Sequence, residues 1–300
     1  MFKKSTWLHL RIPFSYFLLP VYLFALSLSP NLNDMDMLGL LVILHLFIYP
    51  ASNAYNSYFD KDEGSIGGLK NPPKVDKNVF YLATVFDLLG LTLTQFLYGN
   101  YTLTIMVLAY ILVSRAYSYD KIRLKRYAVL SWLIAGFFQG AWVVWLVYIG
   151  LNDFPFDSVL QGKTLYGGLL ASAILWGSYP MTQIYQHEED AKRGDKTMSL
   201  LLGVKGTFLF TLLCFGAATL GYLWFFNSFF NEKYSWQFLI AMLPVVGFFS
   251  WWMLKTWKNE SHADFKNTMR LNFISATALS AFYIYLFLDS TQVLNVVGVY

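Results

Sequence analysis

Two stretches of this 300-residue chain carry the same order of polar residues. One reads Tyr49-Pro50-x-x-Asn53-x-Tyr55-Asn56-x-x-x-Asp60. The other reads Tyr179-Pro180-x-x-Gln183-x-Tyr185-Gln186-x-x-x-Asp190, and Gly64 and Gly194 continue the match at a constant offset of 130. Positions 49, 53, 56 and 60 step by 4, 3 and 4, which places side chains on one face of a helix, and the second set does the same. Acidic residues gather at both ends: Asp60, Asp62 and Glu63 in the first, Glu188, Glu189 and Asp190 in the second. Brought together, the two clusters repel unless a cation lies between them. Their oxygen donors suit Mg2+, which keeps water ligands and bridges one or two carboxylates to a substrate's phosphates. Zinc asks for His or Cys, and these stretches offer only His187. Basic residues nearby would hold phosphate oxygens: Lys70, Lys121, Arg123, Lys125, Arg126, Lys192, Arg193 and Lys196. Singly, each also fits a charge that merely sets membrane topology, and the polar stripes also fit plain interhelical packing. As a set they point to a diphosphate.

The elements that would carry these residues follow from composition. The chain is 56% hydrophobic and only 13% charged, against roughly 25% charged in an ordinary soluble domain. That excludes a water-soluble globule, and disorder as well, which needs low hydrophobicity and high net charge. The single cysteine, Cys214, excludes an internal disulfide framework or a cysteine-rich metal site. Nine stretches are long and apolar enough to span a bilayer: 13–29, 37–59, 79–98, 99–117, 127–150, 164–187, 206–228, 235–254 and 271–289. The first follows Lys3, Lys4 and Arg11 as a signal peptide would, but it lacks a good cleavage site and is read as a mature helix. With nine spans, all of the 22 Lys and Arg except Lys163 and Lys233 fall on one side, a strong positive-inside asymmetry. The expected architecture is an all-α integral membrane protein, a single polytopic domain over residues 1–300. Its nine transmembrane helices surround a central cavity, with the N-terminus cytoplasmic and the C-terminus outside. Residues 49–64 and 179–194 form a parallel internal repeat, so both stripes arrive at the cytoplasmic face. The net charge of +4 then reflects topology and anionic headgroups, with no nucleic-acid partner. Two further polar residues lie inside spans, Asp87 and His45; Asp87 calls for a basic partner or a function.

At the acidic stretches the sequence resembles the UbiA superfamily of intramembrane prenyltransferases. The family's first motif, N-D-x-x-D-x-x-x-D, stands here as Asn56-Ser57-Tyr58-Phe59-Asp60-Lys61-Asp62-Glu63-Gly64, followed by Lys70-Asn71-Pro72. The second, D-x-x-x-D-x-x-x-G-x-x-T, stands as Gln186-His187-Glu188-Glu189-Asp190-Ala191-Lys192-Arg193-Gly194-Asp195-Lys196-Thr197. After the fourth span the family's Tyr-Ser/Thr and Leu-Lys-Arg appear as Tyr117-Ser118 and Leu124-Lys125-Arg126. Ser57, Gly64 and Gln186 replace family carboxylates.

The resemblance implies Mg2+-dependent transfer of a polyprenyl group from its diphosphate to an aromatic, quinone-precursor or other lipid-pathway acceptor, at a cytoplasm-facing site in a bacterial inner membrane. It implies Asn56, Asp60 and Asp190 at the metal, with Glu63, Asp62 and Glu189 as substitutes for the missing carboxylates. Asn56, Asp60, Asp190, Gln186 and Tyr117 become the expected catalytic set, and Lys70, Arg123, Lys125, Arg126, Lys192 and Lys196 the diphosphate ligands. Glu63 stays on the first stripe if the second helix continues that far. Tyr49 and Tyr179 are placed to stabilise an allylic cation. Two other readings use the same features: a lipid or small-molecule transporter, and a degenerate family member with a binding or scaffold role.

Overall fold

Polar residues set where the long helices begin. Asn33, Asp76, Asn100, Thr197, Asn231 and Asp264 each precede an apolar run, and each side chain accepts a backbone N–H from the first turn it caps. The structure, a computed structural model, describes residues 3–291. In chain order its helices are α1 (Lys4–Leu28), α2 (Asp34–Asp60), α3 (Lys77–Tyr98), α4 (Tyr101–Ser118) and α5 (Ala128–Asn152). They continue with α6 (Gly162–Gln183), α7 (His187–Arg193), α8 (Met198–Phe229), α9 (Glu232–Lys258) and α10 (Phe265–Ser290). Among the described residues there is no β-strand, only one isolated bridge between Ile66 and Leu69. The expected outer C-terminal end lies outside the described residues.

Eight of these helices, all but α6 and the short α7, are long and apolar enough to cross a membrane. At 22 residues α6 has the length, but Gly, Ser, Thr and Gln dilute its Leu and Ile, and it packs between α5 and α8. Close approach on its α5 side depends on missing side chains. A Cβ on Gly136 would stand 2.0 Å from Trp176, and one on Gly168 would stand 2.3 Å from Trp145. In lipid, where burial of apolar surface gives little driving force between helices, such close packing is what holds neighbours together. The outward surfaces of the helices are greasy: Phe96 on α3 is 82% exposed and Leu213 on α8 73%.

Several helices are interrupted where the cavity needs them to be. α1 contains a 3-10 stretch at Ile12–Leu18, and α5 breaks at Gly140, where Ser172 Oγ accepts the freed Ala141 N–H at 2.8 Å. In α2 a π-helical turn, Ile43–Ile48, precedes Pro50; widening the helix there relieves the clash of a proline ring with the preceding turn. Pro180 leaves the Trp176 carbonyl without its helical donor, and the Trp132 indole N–H fills that place at 2.7 Å.

The sixth span departs most from expectation. It ends at Gln183, and Gln186 belongs to a tight turn, its N–H bonded to the Gln183 carbonyl at 2.9 Å. A separate helix, α7, follows, with Glu188, Glu189 and Asp190 in its first turn, Lys192 and Arg193 in its last, and Gly194 closing it at φ +74°. That charge order complements the helix dipole, which favours an independent short helix over an extension of α6. The 4-3-4 face therefore holds for α2 and fails after Gln183 for α6.

Candidate active site

The end of α2 supplies Asn53, Asn56 and Asp60 to one cavity, and α4 faces them across it. Asn56 Nδ2 donates to Ser118 Oγ at 3.1 Å, and the Ser52 and Ser114 hydroxyls meet at 2.6 Å. From the other side come Tyr179 and Gln183 of α6, then Gln186, Asp190, Arg193, Asp195 and Thr197. The Tyr117 and Tyr179 hydroxyls are hydrogen-bonded to each other. So the two sequence stripes do converge, although a turn and a new helix replace the second continuous stripe. The polar cavity encloses about 220 Å³. A second cavity of about 270 Å³, mostly apolar, adjoins it, and Phe14, Ser52, Asn53, Tyr110, Tyr179 and Thr182 line both.

The connection after α4 explains why its three basic residues part company. Arg123 adopts a left-handed backbone, φ +42°, before the short turn Leu124–Arg126. The turn sends Lys125 inward, where it is buried, and leaves Arg126 exposed with its guanidinium over the Tyr127 ring. Arg11 and Lys61 share that uncommon conformation, at φ +47° and +50°. Such backbones cost of order 1–3 kcal/mol each and gather at functional sites.

Basic side chains of the chain itself lie among the acidic clusters. Lys125 Nζ pairs with Asp60 and lies 3.5 Å from Asp195. Arg123 grips Asp195 through two bonds of 2.8 Å and reaches Asp60 at 3.5 Å. Arg193 pairs with Asp62. Burial would push the Asp195 carboxyl up, but the Arg123 hydrogen bond and the Lys125 charge outweigh it and hold the group below the usual range. Asp190 is different. It accepts the Thr197 hydroxyl at 3.2 Å, and burial raises it to about 7 despite nearby Lys125. Burial also raises Asp62, with Arg193 offsetting it only in part.

Not every expected residue reaches the cavity. Asn56, Asp60, Asp62, Asp190, Gln186, Tyr117 and Lys125 line it, and Arg123 braces its wall. Glu63 is exposed and outside, because α2 stops at Asp60 and Lys61 turns left-handed; the stripe does not continue to position 63. Lys70, Arg126, Lys192 and Lys196 are also exposed and outside the lining. Glu189 sits behind the cavity, accepting the Gly64 N–H at 2.7 Å. A Cβ at position 64 would stand 2.5 Å from Glu189 Oε1, so this glycine makes room for the carboxylate. Gln186 Nε2 donates to the Ser65 carbonyl at 3.3 Å, a further tie between the two acidic segments.

Arg193, one of the basic residues expected to hold phosphate, does line the cavity, whereas sequence reasoning missed two cavity residues as site members: Asp195 and Arg11. Asp195 follows Gly194 inside the second motif, and that adjacency was the available signal. Arg11 gave none beyond its charge, yet it is buried and donates to the Gly67 and Asn53 carbonyls at 3.1 and 3.0 Å. Asp87 has its basic partner in Arg115, whose guanidinium also lies 3.8 Å over the Tyr55 ring. His45 is packed between Tyr22 and Tyr49, its Nδ1 3.3 Å from the Leu41 carbonyl.

Among the described residues no three acidic, His or Cys groups converge into a protein-only metal cage. The oxygens of Asp60, Asp62 and Asp190 nevertheless face one cavity, and Gln183 Oε1 in the same lining is buried with no hydrogen-bond partner.

The sequence model of the UbiA prenyltransferase family matches residues 17–274. A solved UbiA homolog from Aeropyrum pernix K1 is 17% identical, with 91% of this chain and 98% of that one covered at a TM-score of 0.71. A UbiA homolog from Archaeoglobus fulgidus bound to DMAPP and Mg2+ is 15% identical, with 97% and 100% covered at 0.68. A digeranylgeranylglyceryl phosphate synthase structure is 17% identical, with 95% and 98% covered at 0.61. Likeness at this level of identity carries the fold. No curated protein sequence matches the chain.

Proposed function

The chain belongs to the UbiA prenyltransferase family, and from that premise we propose that it transfers a prenyl group from an allylic prenyl diphosphate to a hydrophobic acceptor inside the membrane. One observation supports this above the others: a cavity of paired carboxylates and cations adjoins an apolar one and shares part of its lining. A polar diphosphate head and a hydrocarbon tail need that combination. A transporter reading has no comparable support, since the buried intramembrane charge pair, Asp87 and Arg115, lines neither cavity.

Lys125, Arg193 and Arg11 hold the diphosphate oxygens, with Arg123 fixing Lys125 through their shared partner Asp195. Asp60, Asp62 and Asp190 would hold Mg2+, whose preference for a few carboxylates plus substrate phosphates fits this donor set, and Gln183 Oε1 offers a further oxygen. When bound, the ion supplies positive charge against the leaving diphosphate. The allylic C–O bond breaks with its electron pair leaving on the diphosphate, and the cations of Lys125 and Arg193 stabilise that charge where it develops. The hydrogen-bonded Tyr117 and Tyr179, of which Tyr179 lines both cavities, are the rings placed to stabilise the allylic cation. An electron-rich acceptor carbon then supplies the pair for the new C–C bond, and its proton passes to diphosphate oxygen. The acceptor is an aromatic, quinone-precursor or other lipid-pathway molecule, and the Lys and Arg distribution orients the polar cavity to the cytoplasm.

The test is Mg2+-dependent release of diphosphate by the detergent-purified protein, given a panel of donors and acceptors. Asp60→Ala and Asp190→Ala each lower the rate by about 100-fold or more, as loss of a group acting on transition-state charge does. Undiminished release in both variants overturns the assignment.

A further inference from the structure

The apolar cavity ends in a wall of aromatic rings contributed by four helices. Phe24 of α1 stacks on Tyr283 of α10, centroids 4.8 Å apart, and Tyr222 of α8 stacks on Phe238 of α9 at 5.1 Å. Phe24 and Tyr222 join the two pairs at 5.6 Å. All four line the cavity, and none is more than 3% exposed. A second aromatic layer backs them, with Phe226 against Phe238 at 5.7 Å and Phe225 against Phe24 at 5.8 Å. The far end is therefore packed solid rather than open to lipid.

Its depth can be read along one helix. Met269 lines the polar cavity and Tyr283 the aromatic wall, both on α10. They are fourteen residues apart, about 21 Å at ~1.5 Å per residue. An isoprene unit adds four chain bonds of ~1.5 Å, so roughly 5 Å when extended in a zigzag. About four units reach the wall.

We propose that Phe24, Tyr222, Phe238 and Tyr283 form the floor of the tail cavity and limit the donor to about four isoprene units. This narrows the donor from polyprenyl diphosphates in general to short and medium chains, and it rests on the diphosphate reading above. Ala218 offers a way to move the floor. It lines the cavity one turn before Tyr222 on the same face of α8, so a larger side chain there fills the lowest turn.

The experiment incubates the detergent-purified full chain and Mg2+ with all-trans allylic diphosphates of one, two, three, four and eight isoprene units. Retained donor is counted by mass spectrometry after gel filtration. The wild type retains donors up to four units, and the eight-unit donor at about a tenth or less of that level. Ala218→Phe lowers retention of the four-unit donor relative to the two-unit donor by about tenfold, and Tyr283→Ala raises the eight-unit share by about tenfold. If Tyr283→Ala does not fold, the wild-type profile and Ala218→Phe decide. Equal retention of four- and eight-unit donors by the wild type means the tail leaves sideways and overturns the floor. So does an unchanged ranking in a folded Ala218→Phe protein. Retention of no donor at any length overturns the diphosphate reading itself.

Discussion

Lys125 touches Asp60 and Asp195 at once, while its neighbour Arg126 points to solvent and donates to the Tyr127 hydroxyl. The two are adjacent and chemically alike, so only geometry separates their roles. Lys125→Met removes a cavity cation and leaves two buried carboxylates short of a partner; kcat/KM for prenyl transfer falls by about 100-fold. Arg126→Met, outside the cavity, changes it by less than about twofold. Steady-state kinetics on both proteins checks the pair, and equal losses would refute the inward role of Lys125. This distinction was not legible in the sequence, because it depends on the left-handed φ of Arg123. Asp60 and Asp190 were legible, since their spacing repeats at a fixed offset. Glu63 was misread for a related reason: a helix-face argument extends only as far as the helix, and Lys61 ends it.

At the scale of elements, the capped and apolar runs announced nearly every long helix, while the breaks within them were harder to see. Pro180 was visible, but its consequence was not. The carbonyl it orphans is met by an indole from α5, and such a partner cannot be read from local sequence. Trp132→Phe keeps an aromatic ring and removes the donor, leaving the part-buried Trp176 carbonyl without its partner. The folded protein loses about 1–3 kcal/mol, read as a lower thermal midpoint in detergent. An unchanged midpoint would show that another group reaches that carbonyl. The turn at Gln183–Gln186 was missed because α7 carries its own dipole-matched charges, which a pattern search tuned to apolar period does not weigh.

For the whole molecule, the lipid-facing rings of α3 and α4 and the uneven distribution of Lys and Arg tell the same story from different atoms. The orientation proposed from that Lys and Arg distribution has a direct test. In a Cys214→Ser background, a cysteine at Lys163 reacts with an impermeant thiol reagent added outside intact cells, and one at Lys121 reacts only after permeabilisation. Reversal of that pattern would invert the orientation. The bundle as a whole was legible because a bilayer allows so few ways to satisfy a backbone. The depth and floor of its apolar cavity were not, since residues 24, 222, 238 and 283 meet only through tertiary packing. The self-paired charges in the polar cavity have one more consequence. Each of Asp60, Asp62 and Asp195 has a counter-ion from the chain itself, so binding of a diphosphate and its metal is an exchange of partners. Chelation with EDTA should then stop turnover while leaving the melting temperature within about 2 °C of its value in Mg2+ alone. The architecture of the site would outlast the loss of its ion.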